Sequence, residues 1–264
     1  MKLTFLGTGT SFGVPQIGCA CEVCRSSDPR DKRTRVGAVV ERGGERLLLD
    51  TPPELRLQLL ATGIHHVDAV VYTHDHADHT HGIDDIRAIS IRRSGGIPIY
   101  GPAETIAVLR EKFAYVFDET MRPIPGTSKP EAAGHVIEPG IPTRIGPFTL
   151  IAVEVPHGRC RVFGYRIGPL AYVTDAKTLP DAAVEILRGA EVLVLNALFR
   201  TPHPTHLSVE ESVVAARRVG APRTYLTHLT HQTGHAALAA ELPADIQPAY
   251  DGLTVDIPEE FSDR

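Results

Sequence analysis

The stretch Val67-Asp68-Ala69-Val70-Val71-Tyr72-Thr73-His74-Asp75-His76-Ala77-Asp78-His79 decides how this chain is read. Val67 to Tyr72 is an apolar, β-branched run with the length of a buried strand. The short turn behind it delivers three imidazoles and a carboxylate, His74, His76, His79 and Asp78, to one strand end. Neutral imidazole and carboxylate suit zinc, manganese or iron, and their density here exceeds what a mononuclear site can use. A solvated polar turn that happens to be His-rich is the plain alternative. Compatible donors farther along outweigh it: His157 closes the strand-like run Phe148–Val155, Asp175 follows Ala171–Thr174, and His228 follows Arg223–Leu226.

His74-x-His76-x-Asp78-His79 resembles the signature motif of the metallo-β-lactamase-fold hydrolases, and His157, Asp175 and His228 follow in that family's order. The resemblance covers nearly the whole chain. It implies an α/β (α+β) architecture, a four-layer αββα sandwich, with residues 1–264 as a single domain. It also implies His74, His76 and His157 on one cation, Asp78, His79 and His228 on a second, and Asp175 bridging. Two divalent catalytic metals, zinc or manganese, clamp an oxyanion and activate water, which is the chemistry of hydrolysis. Asp78 is counted as catalytic as well as a ligand.

Composition sets the bounds. A chain of 264 residues with 42% hydrophobic content can bury a substantial core, as one large domain or two small ones. The net charge is −5. The densest positive run, Arg30-Asp31-Lys32-Arg33-Thr34-Arg35, reads as a solvated loop, so a nucleic-acid partner is disfavoured. No segment approaches the ~20 apolar residues of a membrane helix. The opening Met1–Leu6 is too short, and too soon interrupted by Gly7, for a signal peptide. A cytoplasmic protein is expected, without a membrane partner and with homodimerisation left open.

Cys19-Ala20-Cys21-Glu22-Val23-Cys24 holds three of the four cysteines. Thiolates at this spacing can converge on one tetrahedral ion, and a structural zinc is closed by four ligands. Cys160 and His231 are candidates for the fourth. His231 is preferred because His228-Leu229-Thr230-His231 leaves a spare imidazole near a presumed catalytic ligand. Ahead of this clip, Gly7-Thr8-Gly9-Thr10-Ser11-Phe12-Gly13 reads as a tight turn near the site whose exposed amides can border a phosphate. Asp50 reads as a helix cap or as a carboxylate orienting a ligand His, and the family resemblance favours the second. Helices are expected over Glu54–Ala61, Gly82–Arg92, Thr105–Phe113 and Val209–Val219, the last behind the capping box of Ser208 and Glu211. Residues 114–134, with Pro123, Pro125, Gly126 and Pro130, read as a loop bordering the substrate.

His206 stands just before that capping box, where it can protonate a leaving-group oxygen as a general acid. A satisfied turn histidine is the alternative, and the family resemblance favours catalysis. His65, His66, His81, His135, His203 and His235 read as surface or packing residues. The cysteine clip with His231, together with Leu6-Gly7-Thr8-Gly9, Gly13-Val14-Pro15, Tyr100-Gly101-Pro102 and Asp251-Gly252, resembles the branch that holds the cyclic phosphodiesterase of the carbon–phosphorus lyase pathway. That branch implies a phosphodiesterase on a small or cyclic phosphodiester; for such a reaction an arginine such as Arg35 is a candidate to steady the phosphate. A thioester or lactone hydrolase, an RNA-processing nuclease and a non-catalytic metal-binding protein are the alternatives.

Overall fold

Aliphatic runs of strand length set the framework, because strands buried on both faces need no polar face. The computed structural model describes residues 1–93 and 95–258. The first sheet contains β1 (Lys2–Gly7), β2 (Gly37–Arg42), β3 (Glu45–Leu49), β4 (Ala69–Val71), β5 (Ile97–Gly101) and β6 (Ala132–Val136). The second contains β7 (Pro142–Ile145), β8 (Phe148–His157), β9 (Cys160–Ile167), β10 (Leu170–Val173), β11 (Val192–Asn196), β12 (Arg223–Thr227) and β13 (Ile246–Pro248). β14 (Thr254–Asp256) returns to the first sheet beside β1.

The sheet orders are β14-β1-β2-β3-β4-β5-β6 and β13-β12-β11-β10-β9-β8-β7. Both are built alike. From β14 to β3, and from β7 to β10, neighbours pair antiparallel; beyond β3 and β10 every pairing is parallel. Successive strand side chains point to opposite faces, so each strand feeds two apolar layers. Leu47 and Leu49 meet Val192 and Val194 between the sheets. Leu48 turns outward to the helical residues Leu55, Leu59 and Leu109, and Leu193 and Leu195 turn to Val184, Leu187 and Val219. The result is the four-layer αββα sandwich. No helix of the described residues is long and apolar enough to cross a membrane.

Three expectations need correction. Gly82–Arg92 is not one helix but a 3-10 turn, Ile83–Ile86, followed by a short α-helix, Arg87–Ser90. Gly82 is pressed against the Pro52 carbonyl, and Asp84 is drawn to both Arg87 and Tyr115, which tightens the turn. Residues 114–134 are not all loop: Ala114–Phe117 is helical, and Ala132-Ala133-Gly134 opens the edge strand β6 by pairing with β5. Small residues carry no strand signal of their own, so the neighbour decides. The basic run is not solvated either. Arg33 is 1% exposed and donates to the carbonyls of Thr230 and Thr233, both at 2.9 Å, while Asp31 is buried beside it. A guanidinium can enter the interior when carbonyls replace its water.

Candidate dinuclear metal centre

Polar groups stand at the C-terminal ends of neighbouring strands, where open α/β sheets build their sites. Asp50 follows β3, His74 and its motif follow β4, His157 ends β8, Asp175 follows β10 and His228 follows β12. The motif is not a plain turn. Its second half winds into the short helix Ala77–Thr80, which places Asp78 and His79 together facing His228. Among the described residues, only Asp50 (φ 62°) and His228 (φ 58°) adopt positive φ without being glycine. Backbone strain of this kind gathers at functional sites.

The ligand atoms of His74, His76 and His157 lie within 4.8 Å of one another, as do those of Asp78, His79 and His228. His74, His79 and Asp175 form a third such group that joins the first two. Asp175 sits at the centre: Oδ2 is 3.3 Å from His79 Nε2, and Oδ1 is 3.3 Å from His228 Nε2. Thus all seven sequence-derived donors gather in one place.

The surrounding hydrogen bonds fix how the imidazoles present themselves. The Thr73 hydroxyl donates to Asp50 Oδ2 at 2.9 Å and so accepts from His74 Nδ1, also at 2.9 Å. His79 Nδ1 donates to Asp50 Oδ2 at 2.8 Å, and His157 Nδ1 donates to the Thr205 carbonyl at 3.0 Å. Each of these rings therefore aims an Nε2 lone pair inward, the tautomer a metal ligand requires. His74 Nε2, His79 Nε2, His228 Nε2 and Asp175 Oδ2 are buried without a hydrogen-bond partner. Orphaned polar atoms are rare in interiors, and a converging set of them fits cations. Burial opposes charge on His79, yet Asp175, Asp78 and Asp50 outweigh it and raise this imidazole to about 10. Burial chiefly, with neighbouring imidazoles, holds His74 well below its ordinary value. A proton drawn into such a cluster marks the negative potential that a divalent cation would neutralise.

Asp50 caps no helix: Glu54 occupies the cap position before Leu55–Thr62. Its carboxylate instead takes Thr73 N, Thr73 Oγ1 and His79 Nδ1. Asp50→Asn is expected to weaken metal affinity roughly 10–100-fold, the usual cost of losing a ligand's outer partner. Metal titration followed by calorimetry checks this, and unchanged affinity would exclude the role.

His206 belongs to the same cluster, with His157 and Asp175. It differs from the ligand rings in aim. Its Nε2 donates to Asp175 Oδ1 at 3.0 Å while Nδ1 is 2.8 Å from the Thr205 hydroxyl. Burial pushes it down to about 4 against the pull of Asp175. Thr73 and Thr205 were missed in the sequence. Thr73 lies inside the motif, but Thr205 orients His157 through its backbone, which no residue type announces. Arg35 is engaged by Glu54 and by the Ser11 carbonyl. The glycine-rich turn also spends its amides internally: those of Thr8, Gly9, Thr10 and Gly13 donate to Asp251, Thr34, Leu229 and Thr10 respectively. It is a strap more than a phosphate cradle.

The second cluster joins Cys19, Cys21, Cys24 and His231, whose ligand atoms again lie within 4.8 Å. His231 Nδ1 is 3.2 Å from Cys19 Sγ and 3.3 Å from Cys21 Sγ. Cys160 is exposed at the start of β9, away from this group. The amide of Cys24 donates to Cys21 Sγ at 3.4 Å, and with His231 it lowers the Cys21 thiol to about 6. Three soft thiolates and one imidazole form a closed set that fits zinc.

Comparison with known proteins places this geometry. A family described as "Beta-lactamase superfamily domain" matches residues 45–229. The chain is similar to an octanoyltransferase of Porphyromonas gingivalis, 37% identical over 265 residues, covering 98% of this chain and 52% of that protein. It is also similar to the ribonuclease Z of a Bradyrhizobium species, 31% identical over 168 residues, covering 62% and 48% respectively. The chain thus spans about half the length of these curated relatives. Among solved structures, a diphosphatase from the PhnP family superposes with a TM-score of 0.89 at 41% identity, over 97% of this chain and 98% of that one. The sandwich and the strand-end donors agree with these matches, and the chain belongs to the β-lactamase superfamily, in its PhnP-like metallo-β-lactamase-fold branch.

Proposed function

We propose that the chain hydrolyses a small phosphorus ester or anhydride, a linear or cyclic phosphodiester or a diphosphate, at a pair of divalent cations. The observation that carries this reading is the convergence of His74 Nε2, His79 Nε2, His228 Nε2 and Asp175 Oδ2, all buried and unpartnered. The similarity to a diphosphatase along nearly the full length of both chains supports the choice of phosphorus. In this reading His74, His76 and His157 hold one cation, Asp78, His79 and His228 the other, and Asp175 lies between. Zinc or manganese there would supply Lewis acidity for attack on a phosphoryl group at neutral pH. Cys19, Cys21, Cys24 and His231 would hold a further, structural zinc.

The chain's own groups do the rest. Asp50, Thr73 and Thr205 keep the ligand rings in one orientation. His206 directs its Nε2–H at Asp175 Oδ1 beside the centre; in its imidazolium form it would give a proton to the departing oxygen and return to the neutral ring seen here, easing the loss of the leaving group. Exclusion of water from the buried side of the centre strengthens each of these interactions. The octanoyltransferase relative does not overturn this: about half of that protein lies outside the shared stretch and has room for the named transferase. The ribonuclease Z relative keeps an RNA substrate as the second reading, against a net charge of −5.

The test is a turnover screen of the zinc- or manganese-loaded chain. Bis(p-nitrophenyl) phosphate, a 2′,3′-cyclic nucleotide, a dinucleoside diphosphate, a model thioester and a precursor transfer RNA would be compared. Turnover of one of the first three is expected. Silence on all three with cleavage of the thioester or the RNA would overturn the proposal.

A further inference from the structure

Asp251 lies outside both clusters, yet both of its carboxylate oxygens are fully used. Oδ1 accepts from Thr8 N at 2.9 Å and Thr8 Oγ1 at 2.7 Å; Oδ2 accepts from Thr34 N at 2.7 Å and Thr34 Oγ1 at 2.6 Å. One side chain thus ties the glycine-rich strap to the segment entering β2. Gly9 N adds a bond to the Thr34 carbonyl at 2.8 Å, and a Cβ on Gly9 would lie 2.7 Å from the Arg33 carbonyl, so the two backbones are in close contact.

The other edge of the strap holds the backbone behind His228. Leu229 N donates to the Thr8 carbonyl at 2.9 Å, and Thr10 N donates back to the Leu229 carbonyl at 3.2 Å. This matters because His228 is one of the two non-glycine residues at positive φ among those described, a conformation that costs about 1 kcal/mol or more unless neighbours enforce it. Upstream, Thr227 is fixed by β12 and by Ala197 N. Downstream, the strap grips Leu229 and Arg33 grips Thr230. The His228 ring itself has no hydrogen-bond partner on either nitrogen, unlike His74, His79 and His157. Stacking on His206, with ring centroids 4.8 Å apart, and the backbone that carries it set its aim instead.

We infer that Asp251 is a positioning residue for the centre: through Thr8 it holds His228 in the left-handed conformation that points its imidazole at Asp78 and Asp175. This rests on reading His228 as a metal ligand. An Asn at 251 leaves a single acceptor oxygen facing four donors, and its amide would collide with either the Thr8 or the Thr34 pair.

The experiment is calorimetric titration of zinc into the metal-stripped full chain, for wild type, His228→Ala, Asp251→Asn and Thr8→Val. His228→Ala tests the underlying reading alone: retention of the wild-type stoichiometry in the centre would sink that reading. Asp251→Asn is expected to weaken one centre site, the one held by Asp78, His79 and His228, by roughly 10–100-fold as for other outer-partner losses, with the cysteine site unchanged. Thr8→Val keeps its amide bond to Asp251 and should show a smaller loss at the same site. If Asp251→Asn does not fold, Thr8→Val decides. Wild-type affinity in the folded variants, even with a lowered melting temperature, would make Asp251 merely structural and overturn the inference.

Discussion

Asp175→Ala is expected to abolish hydrolysis and to release metal from both halves of the centre, the largest effect any single substitution should have on activity. Asp175 lies within reach of both halves: it faces His74 and His157 of one and His79 and His228 of the other. On the proposed reading of Asp175 as a shared ligand, truncation would remove it and leave a cluster of imidazoles with one fewer negative charge to offset the cations. Loss of an outer partner alone costs roughly 10–100-fold in metal affinity or activity, and loss of a bridging ligand must exceed that. Turnover and metal content per chain, measured on the same preparation, check it. Full activity with two ions retained would remove Asp175 from the centre.

Cys21→Ser is expected to give the largest loss of stability. Cys21 meets both the ring and the carbonyl of His231 through its thiol and receives the Cys24 amide, so it ties the local loop to His231. A hydroxyl cannot replace the thiolate, and the zinc should be lost. Structural zinc binds unfolded-to-folded peptides with roughly 10–16 kcal/mol, and a fraction of this is coupled to the fold here. For a chain of this size about 2–4 °C accompanies each kcal/mol, so a melting temperature lower by roughly 10 °C is expected. The effect on turnover should be smaller than that of Asp175→Ala, because no donor of the catalytic pair is removed. Equal zinc content and equal melting temperature in wild type and variant would refute the clip.

Much of this was legible in the chain. Strands such as Val192–Leu195 are continuous apolar runs, and strand ends repeatedly carry His or Asp, so strands and candidate donors could be located from residue type, while the four layers and the division of donors between two cations came from the family resemblance. What escaped depends on neighbours. β6 exists because β5 offers an edge, and Ala132-Ala133-Gly134 gave no sign of it. Arg33 looked like solvated charge because the carbonyls that receive it come from Thr230 and Thr233, some two hundred residues away. His157 is aimed by a carbonyl, and carbonyls are present at every position. Periodicity reports what a segment presents to a sheet; it is silent on which distant backbone group will complete a polar side chain.

The strap between Thr8 and Asp251 spans 243 positions, and the bond between Cys19 and His231 spans 212. Contacts of such separation close late, since the entropy of drawing the ends together must be met before they stabilise anything. Neither contact can therefore nucleate the protein. Uptake of cations should lag behind the burial of the sheets in a refolding time course, so metal binding would report a chain whose folding is already complete.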